Sequence, residues 1–225
     1  MLTPLDTVLY GGATGITVTV SSGTNYDLNA DLQANYSWNG ATSETVDVYI
    51  TGALSGTAPF VTGADSSGDG ESLTVVIYNQ STVRAAGGGG GAANSGTGVA
   101  GSNAFNISYD VSYDNSAGEI SGGGTGGTAG ALTPGDPGGP KEPSEPAVNG
   151  GGGGGGAGTP AGAAGSGNPA GAAGSATAGG AGGVSPGYNG AAGGARGVSG
   201  KAINLNGNTA TDVGASTGTI NGAIS

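Results

Sequence analysis

Hydrophobic and polar residues alternate over the first third of the chain in three separate stretches. Residues 16–20 alternate strictly, residues 44–50 place valine and isoleucine on one face, and residues 72–78 are more continuously apolar. A period of two predicts a β-strand with one buried face, and a short continuous apolar run fits a strand buried on both faces. Turn residues separate the three stretches. We therefore predict that residues 1–85 form a small antiparallel β domain.

A second pattern, in which glycine runs lead into strands, occurs twice in the rest of the chain. The segment GVAGSNAFNI at 98–107 is echoed by GVSGKAINL at 197–205, and GEISG at 118–122 is echoed by GTING at 218–222. Residues 105–113 alternate phenylalanine, isoleucine, tyrosine, valine and tyrosine with polar residues. Units that repeat in this way predict a layered architecture, in which each unit pairs with its neighbours.

A long glycine tract at 150–183 lies between the two copies. Glycine falls on every third residue over most of it, and a nine-residue unit occurs twice, as TPAGAAGSG and NPAGAAGSA. A period of three fits an extended helix of the polyproline II type, which has no internal hydrogen bonds. Its backbone groups must therefore bind water or neighbouring chains. We expect several such segments to pack side by side, with a glycine edge as the contact: Gly162, Gly165, Gly171 and Gly174.

Prolines recur on every third residue over 134–146. This spacing predicts a semi-rigid polyproline II spacer, and a ligand for a proline-binding domain is the alternative. The complete predicted fold is all-β, an antiparallel domain followed by a glycine-rich layered bundle with short strands. Its predicted parts are the β domain at 1–85, a first glycine-rich and strand repeat at 86–132, the proline-rich spacer at 133–147, and a glycine-rich C-terminal region with terminal strands at 148–225.

The composition narrows the function classes. Four basic residues and a net charge of −11 argue against nucleic acid as a partner. The absence of histidine and cysteine excludes Ser-His-Asp and Cys-His catalysis and a typical zinc site. We therefore expect neither an enzyme nor a cofactor. No apolar run has the length of a membrane span, and the first ten residues do not resemble a signal peptide. A protein of this kind that works outside a cell would leave by lysis or within a particle.

Two groups of carboxylates are candidate binding or catalytic sites. Asp65 and Asp69 have the spacing of a calcium loop, but Val76 stands where the closing glutamate would be. We interpret this segment as an acidic turn, with calcium as the weaker alternative. Asp110 and Asp114 share one face of a predicted strand, where paired carboxylates could act in catalysis. We interpret them as solvated side chains, so no metal or catalytic residue is predicted.

Taken in order, these segments resemble the glycine-rich tail proteins and tail-tip adhesins of bacteriophages. The segments are the alternating strand at 16–20, the strands ending at Tyr78-Asn79, the first glycine run, the turn at 113–122, the long glycine tract and the terminal segment 200–224. The resemblance implies a virion component of the phage tail whose glycine segments pack as a polyglycine II bundle. It also implies partner proteins in the virion and, in the adhesins, distal loops that bind a receptor on the bacterium.

The leading hypothesis is therefore a structural protein of the phage tail or tail fibre, with the receptor-binding tip as its more specific form. The β domain would attach to the virion and the glycine-rich remainder would project. Tyr188 is the only aromatic residue after Tyr113, so Tyr188 and Asn189 are the candidate receptor-binding residues. The alternative is that Tyr188 is packed as a cap on the glycine-rich bundle. The alternatives are a non-enzymatic ice- or polysaccharide-binding repeat protein and a purely structural or decoration protein of the virion. Homo-oligomerisation is left open, and no membrane insertion is expected.

Overall fold

Short strands make up most of the regular secondary structure in the described part of the chain. The computed structural model describes residues 15–39, 42–63, 73–88, 99–124, 200–214 and 217–225, together with the backbone of three short strands at 132–134, 184–185 and 188–190. The elements before residue 86 are β1 (Ile16–Val20), β2 (Gly23–Asp27), α1 (Leu28–Asn35), β3 (Thr45–Ile50), β4 (Leu54–Val61), β5 (Thr74–Asn79) and β6 (Thr82–Ala85). The later strands are β7 (Phe105–Asn106), β8 (Val111–Asp114), β9 (Glu119–Ser121), β10 (Leu132–Pro134), β11 (Val184–Ser185), β12 (Tyr188–Gly190), β13 (Ile203–Asn204), β14 (Ala210–Asp212) and β15 (Thr219–Asn221).

Two parallel sheets contain most of these strands. Sheet A has the order β1-β3-β5-β8-β14, and sheet B contains β2, β4, β6, β9 and β15, with β7 and β13 joined to it through β4. The chain runs along sheet A, turns, returns along sheet B and then starts the next strand of sheet A. Each passage adds one layer, so the described residues form a β-solenoid of five layers, β1–β2, β3–β4, β5–β6, β8–β9 and β14–β15.

The prediction of an antiparallel β domain is wrong, because the described pairings within residues 1–85 are parallel. Alternation of hydrophobic and polar residues shows which face of a strand is buried, and it is the same for both directions of pairing. The direction depends on the connection. Between β1 and β3 the chain passes through β2 and α1, and this crossover brings β3 back parallel to β1.

In contrast to the predicted fold, the described strands after residue 85 that pair with earlier strands belong to the same two sheets. β8 pairs with β5, and β7 pairs with β4, so the later strands continue the sheets that begin before residue 85. The domain boundaries at 85, 132 and 147 stay predictions. The glycine tract at 150–183 lies outside the described residues.

The core lies between the two sheets. Sheet A turns one row of aliphatic side chains inward from each strand, for example Val48 and Ile77, which pair in register. Sheet B contributes Phe60 and Phe105, whose rings lie 4.9 Å apart. All four side chains are at most 1% exposed, and burying each contributes about 1.5–3 kcal/mol. Because the strands are in register, each layer buries its residues against those of the layers above and below.

Helix α1 follows the first layer. It begins at Leu28 because the side chain of Asp27 accepts a hydrogen bond from the backbone N–H of Ala30 at 3.1 Å. Leu28 and Leu32, one helical turn apart, are fully buried in the same core as the strands. The helix is therefore held by its one apolar edge and by its N-terminal cap.

Buried asparagines join the layers where sheet A turns into sheet B. Asn79 and Asn115 follow each other in adjacent layers and are 2% and 1% exposed. The amide nitrogen of Asn79 donates to the Asn115 side-chain oxygen at 2.7 Å, and the Asn115 amide donates to the carbonyl oxygen of Thr219 in the fifth layer at 3.1 Å. The Asn79 oxygen accepts the backbone N–H of Ser81. The chain turns sharply here, and these amides satisfy backbone groups at the turn.

We expect Asn79→Ala to destabilise the protein by about 2 kcal/mol, because it leaves the buried oxygen of Asn115 and the N–H of Ser81 without these partners. Denaturant unfolding measures the loss. The control is Gln80→Ala, which alters an exposed side chain in the same turn and should change the free energy of unfolding by less than about 0.5 kcal/mol. Equal losses in the two variants would show that the ladder of amides does not hold the layers.

Candidate functional site

Every layer of sheet B is interrupted at the same place. In the first layer Asn25 has a positive φ of 55° and shifts the register of β2, and in the second layer Gly56 has a φ of 127°. In the third layer the chain leaves after β6 and returns at β7, and in the fourth it leaves after β9 and returns at β13. Gly222 in the fifth layer has a φ of 122°. The glycine-rich segments are therefore insertions at a bend that all five layers share.

The inserted segments begin and end on a stem of closely packed backbone. We define the glycine stem as residues 86–88, 99–102, 122–124 and 200–201. Its segments are joined by backbone hydrogen bonds from Ser102 to Ala86 at 3.0 Å, from Gly123 to Ser102 at 2.8 Å, from Gly200 to Gly123 at 2.6 Å and from Gly88 to Gly124 at 2.6 Å. These bonds pair segments that are far apart in sequence, so the two insertions share one base.

Glycine is required in the stem because the backbones approach too closely for a side chain. A Cβ atom on Gly123 would overlap the carbonyl oxygen of Ala86, and one on Gly101 would overlap the carbonyl oxygen of Gly123. The same holds for Gly88, Gly122 and Gly200. Gly122 to Gly124 are buried, so there is no free space into which a methyl group could turn. The lack of a side chain is what permits this approach.

Side-chain amides fix the two strands that re-enter the sheet from the stem. Asn204 on β13 donates to the side-chain oxygen of Asn106 on β7 at 3.1 Å, and Asn103 donates to the same oxygen at 3.2 Å. The oxygen of Asn103 accepts the backbone N–H of Lys201 at 2.9 Å. The Lys201 ammonium in turn donates to the oxygen of Asn204 at 2.8 Å. Both insertions thus return to the core in a defined register.

One ion pair joins the strands that lead into the stem. The guanidinium of Arg84 on β6 donates to both carboxylate oxygens of Glu119 on β9, at 3.1 and 2.7 Å. The hydrogen bonds from Arg84 lower the pKa of the Glu119 carboxyl below its usual value, and the hydroxyl of Ser121 adds to this effect. The pair lies on the outer face of sheet B, immediately before the chain enters the stem.

The predicted receptor-binding residues belong to β12. The backbone of β12 is the central strand of a small antiparallel sheet, with Tyr188 in register with Pro134 of β10 and Ser185 of β11. Asn189 pairs with Thr133 in the same way. The segment lies within the second insertion, between β9 and β13. Receptor binding by these two residues stays a prediction.

The other predicted positions lie outside the described residues. They are the glycines of the proposed contact edge (Gly162, Gly165, Gly171 and Gly174) and the calcium candidates Asp65 and Asp69. Within the described ranges, no group of three or more aspartate, glutamate, histidine or cysteine residues could hold a metal ion. No helix in this part of the chain is long and apolar enough to cross a membrane.

A surface that the sequence analysis did not identify lies on the outer side of sheet A. The rings of Tyr49 and Tyr78 are stacked, with centroids 4.7 Å apart and an interplanar angle of 11°. Asp114 is in register with Tyr78 on the adjacent strand, and Asp47 precedes Tyr49 on the same face of β3. Burial, followed by the negative charge of Asp47, raises the pKa of the Tyr78 hydroxyl. We call these four residues the tyrosine–carboxylate face. Alternation along β3 and β5 could have shown that both tyrosines point outward, but not that they stack.

Comparisons with known proteins found one matching protein family and one solved structure with a similar fold. The model of a family described as phage tail fibre adhesin Gp38 matches residues 15–225. A crystal structure of the gp37-gp38 adhesin tip complex of the bacteriophage S16 long tail fibre contains a chain with a similar fold. The TM-score is 0.57 and the identity 16%, over 98% of this chain and 88% of that chain. No curated protein matches the chain in sequence.

We expect Gly123→Ala to destabilise the stem by about 2 kcal/mol or more, because the added methyl group must displace the backbone of Ala86. Thermal and denaturant unfolding measure this loss. The matched control is Gly23→Ala in β2, where the new Cβ would lie 3.8 Å from Leu54, an ordinary contact. The control should be neutral or slightly stabilising. If both variants unfold as the wild type does, close backbone packing in the stem has no energetic role.

The Arg84–Glu119 pair predicts a pH dependence. The folded-state pKa of Glu119 is lowered, so the pair stabilises the protein above the unfolded pKa of about 4.3, and this stability is lost as the pH falls through the lower folded value. Because both side chains are partly exposed, at 42% and 22%, the contribution should be below about 1 kcal/mol. Glu119→Gln should reduce the loss of stability between about pH 6 and pH 3. An unchanged pH profile in Glu119→Gln contradicts the prediction.

Proposed function

The chain belongs to the phage tail fibre adhesin Gp38 family, and from this premise we propose how its parts divide attachment and host recognition. It is a protein of the virion tail and acts in receptor binding at the fibre tip. In the proposed division, the layered part attaches the chain to the fibre, and the second glycine-rich insertion carries the residues that contact the bacterium.

Attachment by the layered part is supported by its packing. Sheets A and B share one core, in which residues of β1 to β6 are packed with those of β7, β8 and β13. A unit of this kind presents a fixed surface to a partner, and a preformed surface loses little conformational entropy on binding. The related S16 chain occurs in a complex of gp37 with gp38. By analogy, the proposed partner is another protein of the tail fibre.

The main support for recognition by the second insertion is the topology of sheet B. The insertion leaves after β9 and returns at β13, on a stem outside the core. Changes within it can therefore leave the layers intact. β12 lies within this insertion and contains Tyr188 and Asn189. Tyrosine gives a large contact area at a low cost in side-chain entropy, and asparagine supplies hydrogen bonds.

We propose that the role is binding alone, without an enzymatic activity. The sequence contains neither histidine nor cysteine, and these are the residues that most often act as general base or covalent nucleophile at neutral pH. The pKa values of the Tyr78 and Tyr113 hydroxyls are raised by burial, so both hydroxyls stay protonated at neutral pH and do not serve as general bases there.

The test is Tyr188→Ala in phage particles. We expect adsorption to host cells to fall by at least about tenfold, the effect of losing an aromatic contact worth more than 1.4 kcal/mol. Melting of the purified protein and its amount per particle should be unchanged. The control is Tyr36→Ala, which removes an exposed tyrosine, 39% accessible, from the layered part. Normal adsorption by Tyr188→Ala particles that contain the protein would assign recognition to another region.

A further inference from the structure

We propose that the outer side of sheet A is the surface that docks on the tail fibre, and that the fibre meets it with lysine or arginine side chains. The inference rests on the proposed function, because it names the surface by which the layered part attaches. The occupant of this surface is a basic surface of a fibre protein.

The tyrosine–carboxylate face is compact and regular. Its residues lie on three adjacent strands, β3, β5 and β8, with Tyr49, Tyr78 and Asp114 in one register row. Neighbouring strands are about 4.8 Å apart, so this row spans about 10 Å. Asp47 lies one row away on the same side of β3. All four side chains are partly exposed, and the two rings support each other by stacking.

The charges on this side of the sheet are of one sign. Among the described residues of sheet A there is no lysine or arginine, whereas Asp47, Asp110 and Asp114 are at outward positions. The two described basic residues have partners elsewhere, since Arg84 pairs with Glu119 and Lys201 binds Asn204. A basic side chain could therefore form ion pairs with Asp47 or Asp114 and lie against an aromatic ring, which also attracts cations.

The same charges disfavour occupants that are themselves negatively charged. The chain has a net charge of −11, so a second copy would bring like charges together, and nucleic acid or an anionic membrane would be repelled. A neutral glycan would gain nothing from the carboxylates beyond hydrogen bonds. A partner bearing lysine or arginine is the one whose charge is complementary to this face.

The position of the face fits attachment rather than recognition. Sheets A and B enclose the core between them, and the glycine stem interrupts sheet B midway along its strands. The outer side of sheet A therefore points away from the place where both insertions leave the layers. If the second insertion is directed to the host, the tyrosine–carboxylate face is on the opposite side, toward the fibre.

The test is a pair of charge variants at Thr19. This residue is exposed on β1 and in register with Tyr49, so a new charge there lies at the border of the face. Purified wild-type and variant proteins are titrated against the immobilised tail fibre protein of the same phage, at low and high salt. We expect Thr19→Lys to bind at least about fivefold more weakly than Thr19→Glu, with the difference shrinking at high salt.

The matched control is the same pair at Thr24, an exposed residue of β2 on the outer side of sheet B. Thr24→Lys and Thr24→Glu should bind alike. If wild-type protein binds the fibre protein but the Thr19 pair shows no difference, or the Thr24 pair shows the same one, the face is not the docking surface. If wild-type protein does not bind the fibre protein at all, the proposed attachment itself fails.

A second variant, Asp114→Asn, tests the same face without a substitution at Thr19, so its result does not depend on how the Thr19 variants fold. Asp114→Asn retains the size of the side chain and an oxygen that can accept the backbone N–H of Ser116, which Asp114 binds at 2.8 Å. It should melt close to the wild type, bind the fibre protein about threefold or more weakly, and reduce the dependence of binding on salt. Unchanged affinity in Asp114→Asn would overturn the proposal.

Discussion

Parallel, in-register pairing between successive layers is the interaction on which the rest of the structure depends. It places like positions of each layer above one another, so that Val48 meets Ile77 in the core and Asn79 meets Asn115 at the turn. A buried amide is stable only when its hydrogen bonds are made, and the repeat supplies each asparagine with a partner in the next layer. The same register aligns the bends in sheet B, which is where the chain can depart without breaking a pairing.

Glycine has two separate physical roles in this architecture. At Gly56 and Gly222 it permits a positive φ, which bends a strand of sheet B. In the stem it permits contact between backbones, because a Cβ on Gly123 or Gly200 would overlap a carbonyl oxygen of a neighbouring segment. The stem therefore obtains its cohesion from backbone hydrogen bonds rather than from side chains. It joins a layered part with an apolar core to insertions that have few apolar residues to bury.

Both described basic residues bind a defined partner. Arg84 and Glu119 satisfy each other beside the stem, and Lys201 fixes the returning strand β13 through Asn204. The carboxylates on the outer side of sheet A have no described cation near them. In the proposed division, attachment belongs to the outer side of sheet A, and recognition belongs to the insertion that leaves from sheet B.

The positions of the sheet A strands before residue 86, and the faces that they bury, follow from the amino-acid sequence alone. The predicted strands at 16–20, 44–50 and 72–78 correspond to Ile16–Val20, Thr45–Ile50 and Thr74–Asn79, because alternation of side chains is a property of one strand alone. The echo between 98–107 and 197–205 reflects strands that are neighbours, with Phe105 paired to Ile203. The family resemblance was likewise visible in the order of the segments, and the family match over 15–225 agrees with it.

The direction of pairing, the point of insertion and the composition of the outer surface depend on how distant segments meet in the folded chain. The direction in which two strands pair depends on the end of the sheet at which the chain re-enters it. The residue pattern of one strand does not contain this information, so the prediction of antiparallel pairing was wrong. Gly101 and Gly123 belong to the contact edge of the stem because two segments that are distant in sequence meet there. The spacing of glycine at every third residue indicated a contact edge only in the tract at 150–183. Tyr49 and Tyr78 are stacked because β3 and β5 are adjacent and in register. Stacking of this kind is a relation between strands, and it exists only once the layers have formed.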